Sequence, residues 1–188
     1  MASPATAAVT YNYVGPNFSA IVDSTEIAGT YDTSMRVTAS VTLASALGAN
    51  FNSTVTPLAF SFSDGRQTIT NADISIADGD LYDFGFVTDA TGLIVEWLVY
   101  ARYTDAAGLW RGIATTTYPQ GDSALICKPA DPAYGCIANY PGTNNPDVQD
   151  FAITWKKGDG WTVVPEPGTL ALLGLGLAGL AFTRRRKQ

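Results

Sequence analysis

The chain of 188 residues contains no histidine. That absence removes a Ser-His-Asp triad, a Cys-His dyad and the usual imidazole metal sites. Positive charge is also scarce: 11 Lys and Arg stand against 17 Asp and Glu, for a net charge of −6. Seven of those basic residues and 16 of the acidic ones lie before residue 164. A nucleic-acid partner needs a basic face, so this balance argues against nucleic acid. Cysteine is limited to Cys127 and Cys136. There is no internal repeat, and no amphipathic helical pattern before the last two dozen residues.

What is present is period-two alternation. Met35, Val37, Ala39, Val41 and Leu43 alternate with Arg36, Thr38, Ser40 and Thr42, which reads as a half-buried strand. Leu58, Phe60 and Phe62 alternate likewise, and Asp64-Gly65 signals a hairpin into Gln67–Thr70. Ile74 and Ile76 suggest a short strand, and Tyr82, Phe84 and Phe86 share a face of the next. Asp89-Ala90-Thr91-Gly92 reads as a turn into the longest strand, Leu93 to Tyr103. Both faces of that strand are largely apolar, which predicts a central position with cover on both sides. Asp105-Ala106-Ala107-Gly108 turns into Leu109–Thr117. Tyr118–Val148, rich in proline, reads as one long loop. Phe151, Ile153 and Trp155 alternate on a late strand, and Gly158-Asp159-Gly160 leads into Trp161–Val164. Short strands at this spacing predict an all-β fold: an antiparallel β-sandwich, jelly-roll-like, followed by a short C-terminal apolar helix.

The tail is the most informative stretch. Pro165-Glu166-Pro167 stands before an uncharged run from Gly168 to Phe182, with Leu170, Leu172, Leu173, Leu175, Leu177 and Leu180 along it. Arg184, Arg185, Arg186 and Lys187 follow. The two prolines fix φ and lack an N–H, so Glu166 sits in extended backbone. As a helix the run would be roughly 22 Å long, against about 30 Å of hydrocarbon in a bilayer. Local thinning and snorkelling of the basic residues narrow that gap. The basic cluster should stay on the cytoplasmic side, with the body of the chain outside. A marginal span suits a temporary lipid anchor.

Val164-Pro165-Glu166-Pro167-Gly168-Thr169, the Leu/Ala/Gly run and Arg-Arg-Arg-Lys together resemble the PEP-CTERM sorting signal of exported bacterial proteins. The resemblance implies recognition of Pro-Glu-Pro by an exosortase, cleavage near it, and release or attachment at the cell surface, often within exopolysaccharide. The alternative is an ordinary tail anchor with incidental prolines. Thr30–Leu43, Phe60–Asn71 and Thr88–Gly92 further resemble the β-rich ectodomain of many such proteins; this names no activity. Export requires a signal peptide. Ala5-Thr6-Ala7 matches its cleavage site, without the charged start or apolar core. The expected organisation is therefore residues 1–7 as a cleavage-region remnant, 8–163 as the ectodomain and 164–188 as the sorting signal.

In an exported chain, Cys127 and Cys136 read as a disulfide; their spacing is not the C-x-x-C of a redox pair. Asp78, Asp80 and Asp83 could offer oxygen ligands to Ca²⁺, although turn chemistry alone accounts for Asp-Gly-Asp. Glu96 interrupts an apolar strand and could serve as an acid in glycoside hydrolysis if a second carboxylate stood nearby. The plainer reading pairs it with Arg102 or Arg111. Trp97, Trp110, Trp155 and Trp161 could stack on sugar, though most should be core. Asn17-Phe18-Ser19 and Asn52-Ser53-Thr54 match glycosylation sequons, which carry little weight in a bacterial setting. No cofactor is expected. The leading expectation is a non-enzymatic, exported surface or matrix protein. A carbohydrate-binding module acting on exopolysaccharide is the alternative, and a hydrolase using Asp and Glu the third.

Overall fold

Alternation of apolar and polar side chains sets the strands, and the pairing of those strands sets everything else. The structure is a computed structural model that describes residues 8–75, 81–117, 120–129, 136 and 148–164. Among these there is no helix. The strands are β1 (Val9–Asn17), β2 (Ala20–Val22), β3 (Arg36–Leu43), β4 (Asn52–Thr54), β5 (Ala59–Ser63) and β6 (Thr68–Thr70). They continue with β7 (Leu81–Thr88), β8 (Ile94–Thr104), β9 (Trp110–Thr117), β10 (Gln120–Lys128), β11 (Val148–Thr154) and β12 (Trp161–Val164). Two antiparallel sheets result: one of five strands in the order β12-β1-β3-β5-β6, one of seven in the order β2-β11-β10-β9-β8-β7-β4.

The sheets face each other across one apolar cluster. Val37, Val41, Phe62 and Ile69 come from the five-stranded sheet, and Phe84, Phe86, Val99 and Ile113 from the seven-stranded one; all are buried. Ring contacts show how the layers cross. On β7, Phe84 meets Phe60 of β5 at 5.1 Å, while Phe86 meets Trp161 of β12 at 5.4 Å. β5 and β12 are three strands apart in their sheet. A single strand touching both must run across them, so the packing is of the steeply crossed kind.

Two turns repeat one design. Asp89 and Asp105 each accept, through Oδ1, the N–H two residues on and the N–H four residues on, at 2.8–3.0 Å. Gly92 and Gly108 close these turns at φ 87° and 77°, a region costly for any residue with a Cβ. Each aspartate thereby stands in for backbone acceptors that the turn cannot supply.

Several expectations change. Gln120–Lys128 is not loop: it is an inner strand, pairing with β9 on one side and β11 on the other. β1 and β2, unread in the sequence, take an inner and an edge position. β8 is central, as its apolar content suggested, but only one of its faces is covered. Trp97, Val99 and Ala101 point inward, while Leu98 on the other face is 46% exposed. Among the described residues no third element covers that face. Leu58 precedes β5 and is exposed. Ile74 is irregular, Ile76 lies outside the described residues, and Trp155 falls just past β11. The run of β7 to β11 as neighbours in one sheet is a meander, unlike a jelly roll. The C-terminal apolar helix lies outside the described residues.

One end of the crossing is clasped by charge. Arg66, in the β5–β6 turn, places Nη2 2.6 Å from Asp150 Oδ2 on β11, and its guanidinium lies over the Tyr31 ring at 4.8 Å. The Asp150 side chain is fully buried and that of Arg66 largely covered. Asp64 beside them is fully buried and satisfied: Tyr31 Oη and Gln67 Nε2 donate to it at 2.8 and 2.9 Å, as do the backbone N–H groups of Arg66 and Gln67. Cys127, at the end of β10, is bonded to Cys136.

Arg66→Ala strands the Asp150 carboxylate in the interior, and denaturant unfolding should show a loss of about 3–5 kcal/mol. Reduction and alkylation of Cys127 and Cys136 should add two alkyl groups by mass and lower stability by about 2–3 kcal/mol, the loop being short.

Candidate functional site

The chain leaves the described fold through β12, a four-residue strand on the edge of the five-stranded sheet. Its register on β1 runs from Tyr13↔Trp161 to Thr10↔Val164. Trp161 is its anchor, 4% exposed, with Tyr13 at 5.3 Å and Phe86 at 5.4 Å. Val163 and Val164 are exposed. Pro165, Glu166, Pro167, the apolar segment and Arg184–Lys187 lie outside the described residues.

Beneath this strand lies a buried polar chain that the sequence did not reveal. Tyr13 Oη donates to Asp122 Oδ1 at 2.8 Å, and Trp97 Nε1 donates to Thr115 Oγ1 at 2.9 Å. Asp122 is 1% exposed. Gly15 makes room for it: a Cβ there would overlap Asp122 Oδ2. Burial pushes the Asp122 carboxyl up to about 6, although the Thr115 and Tyr13 hydroxyls work against that rise. Burial, and then the Asp122 charge, push the Tyr13 phenol upward too. Asp122 escaped the sequence reading because Gly121-Asp122 looks like a turn and sits in a stretch read as loop. Its partner Tyr13 is 109 residues away.

The other candidates are dispersed. Asp78 and Asp80 lie outside the described residues. Asp83 sits on β7, partly buried, on the face away from the core. Among the described residues no group of three or more His, Cys, Asp or Glu is placed to hold a metal. Glu96 is exposed on β8. It borders a shallow groove of about 450 Å³ that also includes Asp83, Ser53, Leu98 and Thr117. Register puts Asp83 opposite Tyr100 and Val87 opposite Glu96. The two carboxylate residues are therefore on the order of 14 Å apart at Cα. The expected arginine partners of Glu96 are engaged elsewhere. Arg111 Nε binds Asp105 at 2.7 Å, and Arg102 lies over the Trp110 ring at 4.6 Å. Of the four tryptophans, Trp97 and Trp161 are core, Trp110 is partly covered, and Trp155 is 53% exposed.

The sign of the Asp122 effect follows from its raised pKa. An unfolded Asp titrates near 3.9, so folding favours the protonated form. The stability it contributes is full below about 4, falls as pH rises toward 6, and stays lost above that. Asp122→Asn keeps the shape and removes the charge. Its unfolding free energy relative to wild type should rise between pH 4.5 and pH 7.5, by at most about 3 kcal/mol for two pK units. Equal differences at the two pH values in paired melts would show that the carboxyl is not held in this state.

No curated protein and no solved structure matches the chain. One family does: the PEP-CTERM protein-sorting motif, over residues 163–187. That match begins at Val163, inside β12, and covers Pro165-Glu166-Pro167, the apolar run and the basic cluster. The chain therefore ends in a PEP-CTERM protein-sorting motif, and the last strand of its β-rich body runs directly into it.

Proposed function

We propose that this is an exported bacterial protein, held in the membrane by its C-terminal apolar segment and processed there by an exosortase acting at Pro165-Glu166-Pro167. The single observation that carries this reading is the sorting motif itself, complete in order: stiff strip, apolar run, basic stop. The body then serves at the cell surface or in an exopolysaccharide matrix, without catalysis of its own. Three features support that destination. The body has few Lys or Arg and much Asp, Ser, Thr and Gly. It carries a disulfide, which suits an oxidising compartment. Its strands turn Ser and Thr away from the core, as β3 does with the partly buried Thr38, Ser40 and Thr42.

Two substitutions separate membrane engagement from sorting. Leu175→Asp puts a charge in the middle of the apolar run, at a cost of about 2.5–3.5 kcal/mol, and should shift the chain out of the membrane fraction. Glu166→Ala leaves that run intact, so the precursor should stay in the membrane and accumulate uncut. A Glu166→Ala chain processed and displayed at the wild-type level would overturn the sorting reading.

A further inference from the structure

A glycine inside a strand weakens it, and it usually marks a bulge, a tight bend, or a backbone or ligand that comes close. Gly85, in the middle of β7, has no such reason among the described residues. The ladder is unbroken there, with Gly85 opposite Thr54 on β4 and Leu98 on β8. Its φ is not in the left-handed region. Among the described residues, a Cβ at Gly85 would meet the Leu98 carbonyl at 3.4 Å and Thr54 Cγ2 at 3.9 Å, which is ordinary contact. The sheet therefore tolerates a larger side chain at Gly85, yet the space above it is left open. That space is the groove on the outer face of the seven-stranded sheet, about 450 Å³ in volume. Ligand clefts are roughly 300–1,000 Å³.

Gly85 is the floor of the groove, and the exposed Leu98 gives it an apolar wall. Asn52 and Thr54, exposed on the edge strand β4, bring amide and hydroxyl groups to the other side. Asp83 and Glu96 mark its ends, about 14 Å apart along β7 and β8. Among the described residues neither carboxylate is in an ion pair. Negative charge at both ends repels an acidic polymer and favours a cationic one. The main-chain groups of β7 are spent in ladders with β4 and β8. An extended peptide docks by main-chain hydrogen bonds at a sheet edge, so it gains none on this face. A sugar chain needs none. Each ring lays an apolar face on Leu98 and turns its polar rim to Asn52 and Thr54. An amine on the ring donates to a carboxylate that can only accept.

We infer that this groove binds a polysaccharide carrying free amines, a hexosamine polymer, with its amines on Asp83 and Glu96 and a ring face over Gly85 against Leu98. This rests on the matrix destination proposed above for the source of the polymer, and not on the sorting motif. The test is calorimetric titration of the full chain, kept in a polyoxyethylene detergent, with a β-1,4-linked glucosamine oligomer. The oligomer should bind, more weakly as salt is raised. Gly85→Val should fill the floor and abolish binding, with a melting temperature at or above that of wild type, since valine suits a strand. Glu96→Gln, at an exposed position, should weaken binding about tenfold through loss of one charge-assisted hydrogen bond. Asp159→Asn, an exposed carboxylate between β11 and β12, should change nothing. No binding of the oligomer, binding unaltered by Gly85→Val or Glu96→Gln, an equal loss in Asp159→Asn, or equally tight binding of the N-acetylated oligomer or of oligolysine would each overturn the groove as this site. The sorting reading would stand in every one of those cases, because Glu166→Ala reports on it separately. A processed body released to the medium and not retained in the matrix would overturn the destination while the measured binding stood.

Discussion

The fold depends on how two crossed sheets share one layer of aromatic rings. Tyr13 is the centre of that layer. It meets Trp97 of the seven-stranded sheet at 5.6 Å and Trp161 of its own sheet at 5.3 Å, and it donates to Asp122 from the opposite layer. Trp161 in turn reaches Phe86. Each of these rings brings large apolar area and a preferred tilt, so together they fix both the separation and the angle of the sheets. Because Trp161 is the only buried residue of β12, the same contacts determine where the chain leaves the body. Stability and the placement of the sorting signal are thus served by one group of side chains.

Polar groups inside this layer are arranged in two contrasting ways. At the Arg66 end a cation, two carboxylates, a phenol and an amide meet across three segments of chain. Removing Arg66 leaves the buried Asp150 carboxylate without its ion-pair partner, which makes the clasp specific as well as strong. At the Tyr13 end, Asp122 has hydroxyl neighbours and, among the described residues, no cation beside it. A lone carboxyl in such surroundings is held toward its neutral form. Gly15 is what allows it to be there at all. The pair Gly15 and Asp122 therefore behaves as one unit of sequence.

What could be read from the sequence was local. β3, β5 and β7 were legible because Ser, Thr and Asp alternate with Val and Phe over five or more residues. The Asp-x-x-Gly turns were legible because one side chain and one glycine define each of them. The sorting motif was legible for the same reason: its physics lies in consecutive residues. β10 was not, since Gly121 and Asp122 resemble a turn and the prolines around the strand suggest loop. β1 was missed because Gly15 and Pro16 interrupt its alternation, at the point where the register on β3 shifts. The crossing of the sheets, the Arg66–Asp150 pair and the Tyr13–Asp122 bond all join residues far apart in the chain, and no periodicity encodes them.

The pairing of β12 with β1 also governs the order of events in folding. The first described strand is completed by the last one, with Thr162 donating to the Asn12 carbonyl across 150 positions. Such closure is slow, because the loop entropy must be overcome before the contact forms. For a polypeptide threaded outward from its N-terminus, β1 arrives early and waits, one edge open, until nearly all the rest has crossed. The five-stranded sheet gains its edge strand β12 only when the residues bordering the sorting motif are available, so that edge is the last described part of the fold to form.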